Sequence, residues 1–174
     1  KKNAFIGSSS ARRKSQVLAL RPDLQLKELR GNVPTRIDKL RKGEYDAILL
    51  AKAGVNRLGL DLGDLIQINL SPTEFIPAPS QGVLGYQIRT DDVDLNALLR
   101  NLNNEKIENE IKVERKVLQL MNGGCQLPLG VYFDGKFVYV SYAQSSLSTS
   151  MYFKFEYSND INFAEKIVAH LKNF

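Results

Sequence analysis

Ala4-Phe5-Ile6-Gly7-Ser8-Ser9-Ser10-Ala11-Arg12-Arg13-Lys14-Ser15-Gln16-Val17-Leu18-Ala19-Leu20 is the stretch on which the fold turns. Residues 4–7 form a short apolar run of strand type, the serines break it, and residues 11–20 read as a helix that must end before Pro22. The same order then recurs. Residues 25–29 predict a second strand, 35–42 a helix closed by Gly43, and 47–51 a third strand whose unbroken apolar run suits a parallel sheet covered on both faces. This alternation makes the segment α/β.

Further along, residues 56–60 read as a helix end or turn and 65–70 as another strand, before the proline-rich stretch 72–79 where the chain is expected to leave one domain. Residues 82–88 alternate as a strand, and 91–101 and 107–121 are amphipathic helices, the second stopped by Gly123-Gly124. From 129 to 157 the pattern changes to strands, with Asp134-Gly135 as a hairpin turn, β-rich runs at 135–142 and 151–157, and a polar loop at 145–150. Residues 162–174 predict a closing helix. The expectation is an α/β domain followed by a small α+β domain holding a three-stranded antiparallel sheet and helices.

The 174 residues, 43% hydrophobic and 25% charged, match ordinary globular usage and not the low hydrophobicity of disorder. The formal charge of +5 is unevenly spread. Basic side chains gather in the first third, from Arg12, Arg13 and Lys14 to Arg36, Lys39, Arg41 and Lys42, which is a local basic site and not a tail. No nucleic-acid-binding motif or aromatic stacking platform accompanies it, so a nucleic-acid partner is not expected. A single cysteine excludes an intramolecular disulfide framework and a multi-cysteine zinc site, and favours a reducing, cytoplasmic setting. No apolar run approaches the roughly 20 residues that cross a bilayer. The start, without Met and just ahead of a strand, reads as cut from a longer chain.

In Gly7-Ser8-Ser9-Ser10-Ala11-Arg12-Arg13 a strand ends in hydroxyl residues where a helix opens. Free backbone N–H groups, serine hydroxyls and the positive end of the helix dipole can hold a carboxylate or phosphate there, although a serine that merely caps the helix explains the pattern equally well. Arg12 and Arg13 in a first helical turn oppose the dipole, so they call for a compensating anion or for solvent. A second cluster, Leu29-Arg30-Gly31-Asn32-Val33-Pro34-Thr35-Arg36, sets arginines on either side of another strand-to-helix turn. Ligands of open α/β sheets sit beyond the carboxyl ends of strands, where Arg12, Arg13, Arg30 and Arg36 would project, and guanidinium groups grip carboxylates bidentately. The pattern points to a polycarboxylate site.

Cys125 stands on a loop between Gly123-Gly124 and Gln126-Leu127-Pro128. A lone cysteine is more often a small buried hydrophobe than a nucleophile, but this loop would expose the thiol and nearby cations would favour thiolate. His170 is assigned to surface or packing. Lys52, Gln81 and Glu114 are possible polar site residues, with solvent exposure the commoner fate of each. No Asp/Glu/His cluster has metal-ligand spacing and no glycine-rich phosphate loop is present.

Several of these segments together resemble porphobilinogen deaminase. Gly7 to Arg13 is similar to the family's Gly-Thr-Ser-Ser-Leu-Arg-Arg, and residues 29–60 to its Leu-Arg-Gly-Asn-Val-x-Thr-Arg, Gly-Glu-Tyr-Asp-Ala-Ile and Ala-Gly-x-x-Arg-Leu-Gly stretches. Pro77-Ala78-Pro79-Ser80-Gln81-Gly82 resembles Pro-Ala-x-Gly-Gln-Gly, and Gly123 to Gly130 resembles the cofactor-attachment loop. Departures include Ser8 for Thr, Ala11 for Leu, Pro34 where Gly is frequent, Lys52 at an Ala position and Ser80 for Gly.

The resemblance implies a periplasmic-binding-protein type of α/β domain over residues 1–80, a returning segment of an otherwise missing first domain over 81–103, and a cofactor-attachment domain over 104–174. It implies a hydroxymethylbilane synthase of tetrapyrrole and heme biosynthesis: a transferase that condenses four porphobilinogen molecules head to tail, with loss of ammonia, onto a dipyrromethane. Cys125 would carry that cofactor as a thioether. Ser8, Ser10, Arg12, Arg13, Arg30 and Arg36 would bind its carboxylates, and Arg12, Arg36, Gln81 and Gly82 those of substrate and the growing pyrrole chain. A monomer without membrane partner is implied. The catalytic aspartate would belong to the first domain, so this chain alone is expected not to turn over, and detectable hydroxymethylbilane from it would overturn that expectation. A non-catalytic carboxylate-binding module of the same fold is the alternative.

Overall fold

The computed structural model describes residues 1–124 and 126–173, so the Cys125 assignment lies outside the described residues. The first sheet is built from β1 (Phe5–Gly7), β2 (Gln25–Lys27) and β3 (Ala47–Ile48), in the order β2-β1-β3, all parallel. Helices α1 (Ala11–Leu20) and α2 (Val33–Arg41) make the crossovers, and α3 (Lys52–Leu58) follows β3. Each helix start has its reason in the sequence. Ser10 accepts the Arg13 N–H at 3.4 Å, and Asn32 accepts the Thr35 N–H at 2.9 Å ahead of Pro34 in the first turn of α2. Gly7 closes β1 where the chain is tightest, since a Cβ there would lie 2.8 Å from the Tyr45 ring and 3.0 Å from Ile48.

After α4 (Val93–Arg100) and α5 (Glu105–Leu120), strands β4 (Leu129–Phe133), β5 (Phe137–Tyr142) and β6 (Met151–Glu156) form an antiparallel meander, and α6 (Phe163–Lys172) closes the chain. Asp134 accepts the N–H groups of Lys136 and Phe137 to shape the first hairpin, with Gly135 at a φ of +93°. Cross-strand register sets Val131 opposite Val140 and Val140 opposite Phe153. Val131, Val138 and Val140 are fully buried against Val117 of α5 and Ile167 and Leu171 of α6, and each such side chain contributes about 1.5–3 kcal/mol by leaving water. The chain thus has mixed α/β content with a three-stranded antiparallel sheet and helices.

The expectations of strands at 65–70 and 82–88 were wrong. Neither segment is a strand, and Ile66 (94% exposed), Ile68, Leu84 and Tyr86 lie open to solvent. Alternation describes side chains, whereas a strand also requires a neighbouring edge for its N–H and C=O groups, and none runs beside these segments among the described residues.

A strap at residues 76–81 joins the two sheets. Gln16, fully buried, grips both polar groups of Ile76: its Nε2 donates to the carbonyl at 2.9 Å and its Oε1 accepts the N–H at 2.7 Å. On the other side the Val131 N–H donates to the Pro77 carbonyl at 3.0 Å. Gly130 permits this approach, because a Cβ would fall 2.7 Å from the Ile76 oxygen and 3.0 Å from that of Pro77. The Ser150 hydroxyl donates to Ser15 at 2.8 Å, a second tie between α1 and the β5–β6 loop. Replacing Gln16 by Leu keeps the volume but strands the Ile76 N–H, while the carbonyl keeps its Arg12 donor, and urea unfolding is expected to show a loss of about 1–3 kcal/mol.

Candidate functional site

The serine turn at the end of β1 spends its polar groups locally. Ser8, buried, accepts the Ser10 N–H at 3.3 Å, Ser9 exchanges hydrogen bonds with the backbone of Leu29, and Ser10 caps α1. Lys14 pairs with Glu28. The arginines that follow differ from it. Arg12 is only 6% exposed, and its guanidinium donates to the Ile76 carbonyl at 2.6 Å and to Gln81 Oε1 at 3.1 Å. Arg13 donates to the Leu49 carbonyl at 3.0 Å, and Arg36 to that of Gly31 at 2.7 Å. Every partner is neutral; no carboxylate of the described residues pairs with these cations.

The electrostatics follow. Burial, helped by the charge of Arg13, pulls Arg12 down to about 10, and burial with the charge of Arg36 lowers Arg13. Both remain cations at neutral pH, but at a cost that a bound anion would relieve. Arg12 and Arg13 line a cavity of about 660 Å³ with Lys52, Asn56, Gln67, Asn69 and Gln81, and no Asp or Glu lines it. Its remaining wall is apolar, including Ile48, Val55, Leu62 and Phe75. A few convergent polar groups over an apolar surface is the make-up of a small-molecule site. Such a lining suits a ligand with an apolar body and anionic groups.

Of the side chains singled out in the sequence, Arg12, Arg13, Gln81 and Lys52 meet at this cavity, whereas Arg36 does not line it and acts on Arg13 only by its charge. Arg30 is exposed beside the second turn, and Gly82 is exposed at a φ of +89°. Neither lines the cavity, nor do Ser8 and Ser10. Glu114 departs from its expected exposure: it is 6% exposed and accepts backbone N–H groups with both oxygens. Gln16 went unnoticed in the sequence, and only its polarity on the inward face of α1 could have flagged it.

A family profile described as porphobilinogen deaminase, dipyromethane cofactor binding domain, matches residues 1–97, more than half of the chain. The chain belongs to the porphobilinogen deaminase family. It is similar to porphobilinogen deaminases of Bacillus mycoides (strain KBAB4), Bacillus cereus (strain B4264) and Bacillus thuringiensis (strain Al Hakam). In each case the identity is 46% over 129 residues, covering 74% of this chain and 41% of the relative. The chain therefore matches about two fifths of the length of these porphobilinogen deaminases. The profile's span contains the whole arginine cavity and stops short of Cys125. The cavity's residues fit the group named in the profile, since unpaired guanidinium groups over an apolar wall suit a carboxylate-bearing pyrrole compound. No described helix is long and apolar enough to cross a membrane.

Arg36→Gln should test the charge arrangement. It removes a cation beside Arg13 and no buried hydrogen bond, so folding stability is expected to stay within about 0.5 kcal/mol. Affinity for a pyrrole polycarboxylate should fall by about two- to fivefold in a calorimetric titration, because a cation near the cavity attracts the anion without touching it.

Proposed function

We propose that this chain is the carboxylate-binding and cofactor-bearing part of a hydroxymethylbilane synthase, which condenses porphobilinogen stepwise, with release of ammonia, into a linear tetrapyrrole. The observation that carries the reading is the cavity walled by Arg12, Arg13 and Lys52 without any acidic residue. Family membership and the names of the relatives support it.

On this reading the acetate and propionate groups of the cofactor and growing chain are held by Arg12, Arg13, Arg30 and Arg36, aided by Ser8, Ser10 and the turn at Gln81 and Gly82. The guanidinium of Arg12, already fixed by Ile76 and Gln81, would orient its carboxylate without further ordering of the side chain. The apolar wall would exclude water from the pyrrole faces and strengthen those charge contacts. Cys125 would hold the dipyrromethane as a thioether, and that group, when bound, supplies the primer on which the chain is extended. Turnover would further need an acidic group to stabilise charge on pyrrole nitrogen, which the resemblance assigns to another domain.

The finer architecture belongs to the same proposal: a periplasmic-binding-protein type of domain over residues 1–80, a segment at 81–103 that packs with a first domain, and a cofactor domain over 104–174. The parallel order β2-β1-β3 and the exposed apolar side chains of 82–102 are compatible with it. A monomer in the cytoplasm completes the reading.

Intact-mass measurement of the chain produced together with the first domain that the resemblance implies, in cells that make porphobilinogen, is expected to show an adduct of two pyrrole units, absent in Cys125→Ser. A folded, unmodified protein would instead favour a carboxylate-binding module without the synthase reaction.

A further inference from the structure

We propose that Glu114 is a positioning residue of the arginine cavity, clasping the turn that carries Gln81 to strand β4 and thereby setting where the Arg12 guanidinium sits; this rests on the carboxylate-binding reading above. Glu114 lies in the middle of α5 and is nearly sealed from solvent. Its Oε2 accepts the Ser80 N–H at 2.7 Å and its Oε1 accepts the Phe133 N–H at 3.0 Å. An ionised carboxylate accepts with both terminal oxygens, so it can join two backbone donors; an amide offers an acceptor to only one.

The turn needs such a hold. Ser80 has a φ of +62°, a left-handed conformation that a residue other than glycine adopts at a cost, and its own hydroxyl is buried with no partner among the described residues. The N–H that Glu114 accepts is therefore the anchor of a strained residue. The next side chain, Gln81, accepts from Arg12 Nη2 at 3.1 Å and from the Ala78 N–H at 3.3 Å. A continuous path of hydrogen bonds and one peptide link thus runs from Glu114 through Ser80 and Gln81 to Arg12. The helix bearing Glu114 ends at Leu120, and Asn122-Gly123-Gly124 lead on to Cys125. One carboxylate so ties the segment ahead of the thiol to the cations. Burial pushes the Glu114 carboxyl upward, and the two N–H donors oppose that push.

The test is a calorimetric titration of the intact protein with porphobilinogen, in the unaltered form, Arg12→Gln, Glu114→Gln and the double variant. Glu114→Gln places an NH2 group against one backbone N–H, and its dissociation constant is expected to rise about tenfold, the value of one lost charge-assisted contact. The double variant should bind no more weakly than Arg12→Gln, because both changes act through one contact. A Glu114→Gln protein that is less stable but binds normally, or whose loss adds in full to that of Arg12→Gln, overturns the proposal. Should that variant fail to fold, hydrogen exchange of the Ser80 amide in the unaltered protein decides: slowing on porphobilinogen binding supports the clasp and an unchanged rate refutes it. If Arg12→Gln binds as the unaltered protein does, the carboxylate-binding reading fails and this inference with it; if only Glu114→Gln is without effect, this inference fails alone.

Discussion

The paired hydrogen bonds between the Gln16 amide and the backbone of Ile76 are the constraint on which the rest of the structure depends. They treat one residue of an irregular strap as a strand partner would, satisfying an N–H that burial would otherwise leave stranded and sharing its C=O with Arg12. With the strap fixed to α1, its far side can reach β4 through the Pro77 carbonyl, and Gly130 admits the close backbone approach. The parallel and antiparallel sheets are thereby joined through backbone groups of the strap. The Ile76 carbonyl that Gln16 holds is also the acceptor for Arg12, so the same contact sets the first cation of the site.

That arrangement keeps cations close together against their own electrostatics. Arg12 and Arg13 are held in partly desolvated positions, each made less basic by burial and by a neighbouring guanidinium. Elsewhere on the chain Arg21, Arg41 and Lys14 each have a carboxylate. On the proposed reading, the desolvated guanidinium groups without a carboxylate are those that meet the ligand's anionic groups. A site of this kind gives up some stability for binding, the usual trade at functional positions.

Local chemistry was legible in the sequence. The bounds of α1 follow from Ser10 and the approach of Pro22, and the β4–β5 hairpin from Asp134-Gly135. The arginines were recognisable as a basic cluster because they follow strand ends. Hidden were the features set by distant backbone. Residues 65–70 and 82–88 carry a strand's alternation without a strand's neighbour, and Gln16 and Glu114 find their partners in peptide groups far along the chain, where no spacing rule announces them. Ser10 shows a subtler limit: its hydroxyl accepts the N–H that caps the helix and still has a proton to donate to a ligand, and no spacing rule separates the two roles.

The most direct measurement is a crystal structure of the protein grown with porphobilinogen. Pyrrole carboxylates within hydrogen-bonding distance of Arg12 and Arg13, with the rings along the wall formed by Val55, Leu62 and Phe75, are the predicted result. Clear density for the ligand at another surface, with the arginine cavity holding only water, would contradict the carboxylate site.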